Sequence, residues 1–433
     1  MADATMPTPA DPAARSGPGR RGSGLTTADG TPLKLALARS ARRRKMRAAA
    51  LVLPLVLFIV VTFLLPIGQM LFRSVHNTQF AANMPALVQW FDENPPGTDP
   101  DEAAFAALAS DLANAAANRT VGSAGTRINY EVPGTRSLFT SSARNAADLE
   151  PPYREALLDL NAAWGREDIW AAMRGASDAY TANFYLASVD RKRDLDGNIV
   201  QVDPQSRVYV QLFVRTFILS AAITVLCLML GFPVAHLLAS LPLRTSNLLM
   251  ILVLLPFWTS LLVRTTSWIV LLQGQGVVNN VLVALGIISD SGRLSLMYNQ
   301  AGTIIAMTHV LLPFMILPLY SVMKTIPPSY ARAAQSLGAT SWTTFRRIYL
   351  PQTVPGIGAG CILVFILAIG YYITPALVGG ATGQLISNQI AFHMQNSLNW
   401  SLAAALAAIL LGAVLLLYWL YDRLVGIDNM KLG

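Results

Sequence analysis

Uncharged apolar runs of about 20 residues recur along this chain, and no other feature limits its fold so strongly. A run of that length covers a hydrocarbon core about 30 Å thick, whereas a buried core helix rarely needs it. Charge is correspondingly scarce. Only 13% of the 433 residues are charged and 53% are hydrophobic, against roughly 25% charged in an ordinary soluble domain. The expected fold class is therefore an all-α polytopic membrane protein.

Six spans are expected, at 48–72, 209–240, 247–274, 301–324, 356–378 and 401–421. The first is too long for a signal-peptide core and reads as a retained anchor. Residues 1–47 form a Ser/Gly/Pro-rich tail, expected to be disordered, that holds 10 of the 32 Lys and Arg residues and ends in "RSARRRKMR". A basic cluster just before an apolar run marks the side that stays in the cytoplasm. With the amino terminus there, Arg244, Lys324, Arg332, Arg346, Arg347, Arg423 and Lys431 all fall on the inner side, and the carboxy-terminal 426–433 does too. The chain is expected to be multi-pass with both termini cytoplasmic. The net charge of +8 thus reads as topology and not as nucleic-acid binding.

Between the first two spans lies an insertion, 73–208, expected as a small periplasmic domain. Its body, His76 to Gln205, carries 18 of the 24 acidic residues against 10 basic ones. In "DEAAFAALASDLANAAANR" Phe105, Leu108 and Leu112 recur at helical spacing. A second amphipathic helix is expected in "YREALLDLNAAWGREDIWAAM", with Tyr153, Leu157, Leu160 and Trp164 on one face. "DLDGNIV" (194–200) alternates Asp194, Asp196 and Asn198 as calcium loops do, but lacks the closing Glu and reads as a turn.

The remaining acids, Asp3, Asp11, Asp29, Asp290, Asp422 and Asp428, lie outside every span. Proton-driven carriers relay protons through intramembrane carboxylates or histidines. Here carboxylates are missing, and His236 and His309 are isolated, which suits packing better than relay. Cys227 and Cys361 fall in apolar spans and imply no disulfide or zinc site. The sequence has no phosphate loop, no His-Glu-x-x-His and no Gly-x-Ser-x-Gly, so enzymatic chemistry is not expected and any ATP would be bound by another chain.

One stretch is too polar to span: "SYARAAQSLGATSWTTFRRIYLPQTVPGI" (329–357), within a loop at 325–355. Pro327 and Pro328 suit a helix start. Tyr330, Ala334 and Leu337 share a face, and Gly338 is placed to end the helix in a left-handed cap. Thr340 or Ser341 can cap a second short helix carrying Trp342, Phe345 and Tyr349, which Pro351 should stop. Physics alone leaves two readings open, a docking surface for another protein and a connector lying in lipid headgroups.

The stretch resembles the signature of membrane subunits of binding-protein-dependent ABC importers, Glu-Ala-Ala, three residues, Gly, nine residues, Ile, one residue, Leu-Pro. Ala333, Ala334, Gly338, Ile348, Leu350 and Pro351 match it, and Arg332 replaces the Glu. "GFPVAHLLA" (231–239), "LLPFWTSLLVRTTSWIVLLQGQGVVNNVL" (254–282), "HVLLPFMILPLYSVM" (309–323) and "ITPALVGG" (373–380) resemble the spermidine/putrescine branch of that type I family.

The resemblance implies a bacterial inner membrane as the location, and a six-helix permease core (209–425 with the first span) that pairs with a second permease subunit or its own copy. It implies an ABC ATPase dimer, which binds the ATP and magnesium, and a periplasmic solute-binding protein. The 325–355 loop, with Arg332, Trp342 and Phe345 beside the matched residues, would couple to the ATPase. The imported solute would be a small cation such as a polyamine, with an amino-acid-derived compound or ferric ion as alternatives, and an ATP-independent carrier or channel as the rival class. Trp258, Arg264, Trp268, Tyr371, Tyr372 and Thr374 are candidates for the translocation path, their aromatic rings offering faces to a cation. Arg264 either lines that path or snorkels outward. Tyr371 stands where relatives often carry an acid, which weakens the case for a cation site inside this subunit.

Overall fold

A computed structural model describes the backbone of residues 33–425 and the side chains of 41–423. The tail residues 1–32 and the carboxy-terminal 426–433, Lys431 included, lie outside the described residues. The described chain divides into two compact units, one ending at Gly68 and the other beginning at Gln69.

The first helix, α1 (Leu33–Ile59), starts well before the expected span. The tail expected as disordered through residue 47 is thus helical from Leu33. The reason is local: "LKLALARSARRRKMRAAA" is almost wholly strong helix formers with neither Gly nor Pro. A π turn, Val60–Leu64, leads into α2 (Leu65–Val75). Pro66 follows that turn, and a proline in a helix lacks the N–H and crowds the carbonyl four residues back. One residue of widening just before it relieves both conflicts.

The insertion folds as seven helices and a hairpin: α3 (Pro85–Glu93), α4 (Glu102–Ala117), α5 (Val121–Asn129), α6 (Thr135–Ser142), α7 (Tyr153–Leu160), α8 (Glu167–Gly175) and α9 (Asn183–Ser188), then β1 (Arg191–Arg193) against β2 (Ile199–Gln201). As the spacing predicts, α4 buries Phe105, Leu108 and Leu112, and the Asp101 side chain accepts from the Ala104 N–H at its start. They pack with Phe80, Phe139, Trp164 and Trp170 in one core. Both tryptophans satisfy their indole N–H, Trp164 donating to Ser142 Oγ at 2.9 Å and Trp170 to the Trp164 carbonyl at 2.7 Å.

The single amphipathic helix expected from Tyr153 is not formed. It breaks after α7, leaving Leu160 36% exposed while Leu157 and Trp164 stay buried. Asn161 turns its side chain onto the Ala163 N–H, offering the backbone an alternative to the helix. The 194–200 segment is the hairpin turn: Gly197 has φ +84°, and the Asp194 carboxylate accepts from the Asn198 N–H at 2.7 Å.

Among the described residues, six helical stretches are long and apolar enough to cross a membrane: Ala41–Val75, Tyr209–Ser240, Leu261–Ala284, Gln300–Thr325, Ser341–Gly370 and Trp400–Arg423. Four agree with the expected spans; the third and fifth need correction. The apolar run 247–274 is not one helix. It is α11 (Leu243–Trp258) and α12 (Leu261–Leu272), following α10 (Tyr209–Ser240) and preceding α13 (Val277–Ala284). Pro256 sits in the last turn of α11, and Ser260 caps α12 by accepting from the Val263 N–H. At 16 residues α11 extends about 24 Å, short of the hydrocarbon thickness.

After α14 (Gln300–Thr325) come α15 (Pro328–Ser336), α16 (Ser341–Thr344), a π turn at Phe345–Tyr349 and α17 (Leu350–Gly370). The fifth span therefore runs through Ser341–Gly370 and ends before Tyr371, not at 378. Beyond lie α18 (Ile373–Val378), α19 (Gly380–Gly383), α20 (Ile386–Gln395) and α21 (Trp400–Val425).

The core of this bundle lies between α10, α14 and α17, where Ile223, Cys227, Met307, Met315, Leu319 and Val364 are buried. Lipid offers apolar side chains no hydrophobic drive to associate, so close van der Waals packing must supply it. Gly231 and Gly360 allow that approach: a Cβ at either would meet the Met315 side chain, at 3.1 and 2.7 Å.

Candidate functional site

The polar loop after α14 folds as its sequence suggests up to Thr344. Pro328 opens α15, and Gly338 ends it with φ +90°. The Gly338 N–H donates to the Gln335 carbonyl at 2.9 Å and the Ala339 N–H to the Ala334 carbonyl at 3.0 Å. This pair of bonds closes a Schellman turn, which satisfies two of the orphaned carbonyls at the helix end. Thr340 then accepts from the Thr343 N–H and begins α16.

The expected stop at Pro351 does not occur. The helix passes through the π turn Phe345–Tyr349, where the Leu350 N–H donates to the Phe345 carbonyl, and continues into the membrane. As at Pro66, an extra residue before the Leu-Pro pair makes room for the proline ring. The second arm is thus the first turns of a spanning helix, joined to α15 through the glycine turn.

No residue of α15 is buried. Arg332 and Ala333 are exposed, as are Arg346, Arg347 and Pro351, while Ala334, Phe345, Ile348 and Leu350 are half-covered. Leu337 is 90% exposed and Trp342 69%. Trp342 stacks on Phe345 with centroids 5.8 Å apart, and Phe345 on Tyr349 at 6.0 Å. The edge of this pile meets α10: His236 lies 4.9 Å from Tyr349, and Phe232 lies 6.1 Å from Phe345. A cleft of about 270 Å³ opens beside it, lined by His236, Ser240, Pro327, Tyr330, Tyr349 and Gln352.

Sequence reasoning missed this link to α10, because nothing in the sequence pairs residues more than 100 positions apart. It also missed Lys324, whose Nζ donates to the Ala239 and Leu241 carbonyls at 3.1 and 3.3 Å and so caps the end of α10.

At membrane level several of the expected path residues converge where helices break. Thr265 on α12 lies 3.4 Å from Thr374 on α18, hydroxyl to hydroxyl. Trp268 donates its indole N–H to His309 Nδ1 at 3.1 Å, which leaves the neutral imidazole its proton on Nε2. Arg264 also makes a contact that its position in the sequence does not reveal. Its guanidinium donates to the Pro256 carbonyl and, at 3.1 Å, to the Thr259 carbonyl, bridging the break between α11 and α12.

The other break is sealed likewise, Ser387 donating to the Tyr371 carbonyl at 2.7 Å and Asn388 to the Tyr372 carbonyl at 2.8 Å. Arg215 donates to the Ala381 carbonyl at 3.0 Å. Irregular backbone at membrane depth is tolerated only where its polar groups are paired or face a water-filled cavity. Trp258 stands apart, 73% exposed at the end of α11, and Tyr372 is exposed beside its break. Among the described residues no group of three His, Cys, Asp or Glu is placed to hold a metal ion.

Residues 228–426 match the family model described as binding-protein-dependent transport system inner membrane component. The chain is 37% identical over 235 residues to the spermidine/putrescine transport system permease protein PotB of Salmonella typhimurium (strain SL1344), covering 54% of this chain and 80% of that protein. The Escherichia coli (strain K12) PotB gives the same identity and covers 84% of its own length. The inner membrane ABC transporter permease protein YdcU of Escherichia coli (strain K12) is 32% identical over 230 residues, 51% of this chain and 73% of that one. Among solved structures, a bacterial alginate ABC transporter in complex with an alginate pentasaccharide-bound periplasmic protein matches with a TM-score of 0.41 and 20% identity, over 52% of this chain and 80% of that chain.

Proposed function

The chain belongs to the inner membrane components of binding-protein-dependent transport systems, and from that premise we propose that it forms the translocation path of a polyamine importer. A member of this family is a multi-pass permease, not an enzyme, and works with a solute-binding protein and a separate ATPase. Polyamine as cargo is supported by the likeness to relatives named as spermidine/putrescine permeases.

In this reading the 325–355 loop is cytoplasmic with both termini, and the insertion projects on the outer side. A second permease subunit, or a copy of this one, completes the path. ATP and its magnesium are held by the ATPase dimer, whose closure moves the docked loop and rocks the helices between inward and outward access. The observation that carries the reading is the Schellman turn at Gly338, which offers exposed Leu337 and Trp342 on a hydrogen-bonded corner continuous with a spanning helix. Motion of that corner acts directly on α17, and on α10 through the pile of Phe345 and Tyr349.

The solute is tested through the cognate binding protein: spermidine or putrescine should raise its melting temperature, while amino acids and ferric ion leave it unchanged. The reverse pattern would reassign the cargo without disturbing the family.

A further inference from the structure

The exposed corner of the loop is cationic, and among the described residues no acid pairs with it. Between Asp290 and Asp422 the sequence contains no Asp or Glu at all. The ion pairs among the described residues, Arg127 with Glu131, Arg166 with Asp168 and Arg293 with Asp290, lie elsewhere. Lys324 is engaged by carbonyls of the α10 end. Arg332, Arg346 and Arg347 are exposed and have no acidic partner among the described residues.

Of these, Arg332 is the one on α15, the helix that buries none of its own residues. It stands one helical turn ahead of Ser336, whose hydroxyl donates to its carbonyl at 2.9 Å. Leu337 caps the helix about 140° round the axis from Arg332, so a groove that takes in the whole of this short exposed helix, and not its Leu337 face alone, covers the guanidinium as well. Closing over it without a carboxylate would desolvate an unpaired charge, which is costly. Arginine also suits a carboxylate by geometry, its planar fork matching the two oxygens.

We infer that Arg332 selects the partner: it pairs with a carboxylate in the docking groove of the ATPase subunit, so that an ATPase lacking an acid at that place is rejected. The signature this loop resembles carries a Glu here, so the pairing in this chain has the opposite sign. A groove whose contact is cationic would meet Arg332 with repulsion, and like-charge juxtaposition discriminates between partners more sharply than a lost attraction. The inference rests on the reading of this loop as the ATPase-docking element.

The test uses the full chain in nanodiscs and its cognate ATPase subunit, with affinity titrated against sodium chloride. Arg332→Glu should weaken binding about tenfold or more and flatten its salt dependence. One carboxylate-to-lysine change in the ATPase groove should restore it. Arg346→Glu and Arg347→Glu should each cost less than about threefold. Wild-type affinity in Arg332→Glu, while Gly338→Asp abolishes binding, overturns the charge pairing and leaves docking intact. Equal losses at all three arginines that scale with anionic lipid content overturn it in favour of a headgroup contact. If Gly338→Asp and Trp342→Ala also bind as wild type, the docking reading falls and the inference with it.

Discussion

Asp190 Oδ2 accepts the backbone N–H of Val210 at 2.8 Å, and its Oδ1 accepts those of Val208 and Tyr209 at 3.1 Å. The last residue before the hairpin of the insertion thus caps the 32-residue spanning helix α10. Asp190 has φ +57°, a conformation that Asp and Asn tolerate better than most residues. Asp190→Ala should therefore cost about 1–2 kcal/mol and speed proteolysis between the hairpin and α10, with Asp190→Asn much milder. A thermal unfolding series on the three proteins checks it.

Arg264 is expected to matter for structure before transport. Replacing it with Met leaves the part-buried Pro256 carbonyl and the exposed Thr259 carbonyl without their donor, at about 0.5–1.5 kcal/mol for the lost bonds. Arg264→Lys should recover part of that loss, because an ammonium can still donate but not as a fork. Hydrogen exchange across the start of α12 reads the difference.

These contacts mark the boundary of what was legible in the residues alone. Helical spacing identified the buried face of α4, since Phe105, Leu108 and Leu112 have little freedom to point elsewhere. The corner at Gly338 was legible because only a few residues satisfy a left-handed cap. The break at Thr259 was hidden, since hydropathy rises and falls too slowly to register a two-residue interruption. Pro351 misled for another reason: the rule that proline ends a helix assumes four-residue bonding, and a π turn suspends it. The pile of Phe345 and Tyr349 on Phe232 and His236 is purely tertiary.

Acidity should act on the insertion through Asp111. This carboxylate is 1% exposed and accepts from the Leu87 and Ala86 N–H groups at 2.8 and 3.2 Å. Burial lifts its pKa above the ordinary 3.8, and the two backbone bonds pull it back only in part. The folded value exceeds the unfolded one, so the fold binds the proton more tightly. Its contribution to stability is full below the ordinary value and is lost as pH rises through the raised one. Protection of the α3 amides, measured as wild type relative to Asp111→Asn, should fall as pH rises across that window.

Gly338→Ala isolates the turn. No atom lies within 4 Å of the position a Cβ would take, so the change meets backbone strain alone. About 1–2 kcal/mol is expected, confined to the corner, with insertion and folding of the remaining helices preserved. Far-ultraviolet circular dichroism should match wild type and the melting temperature should fall by no more than about 2–4 °C, while exchange at the Gly338 and Ala339 amides accelerates.

ATP-driven uptake of labelled spermidine by proteoliposomes holding this chain, its permease partner, the ATPase and the loaded binding protein tests the whole account. Accumulation should require ATP and the ATPase subunits and should vanish in Gly338→Asp, with the chain still folded in the bilayer. Uptake that persists without the ATPase, or that Gly338→Asp leaves unchanged, would contradict it.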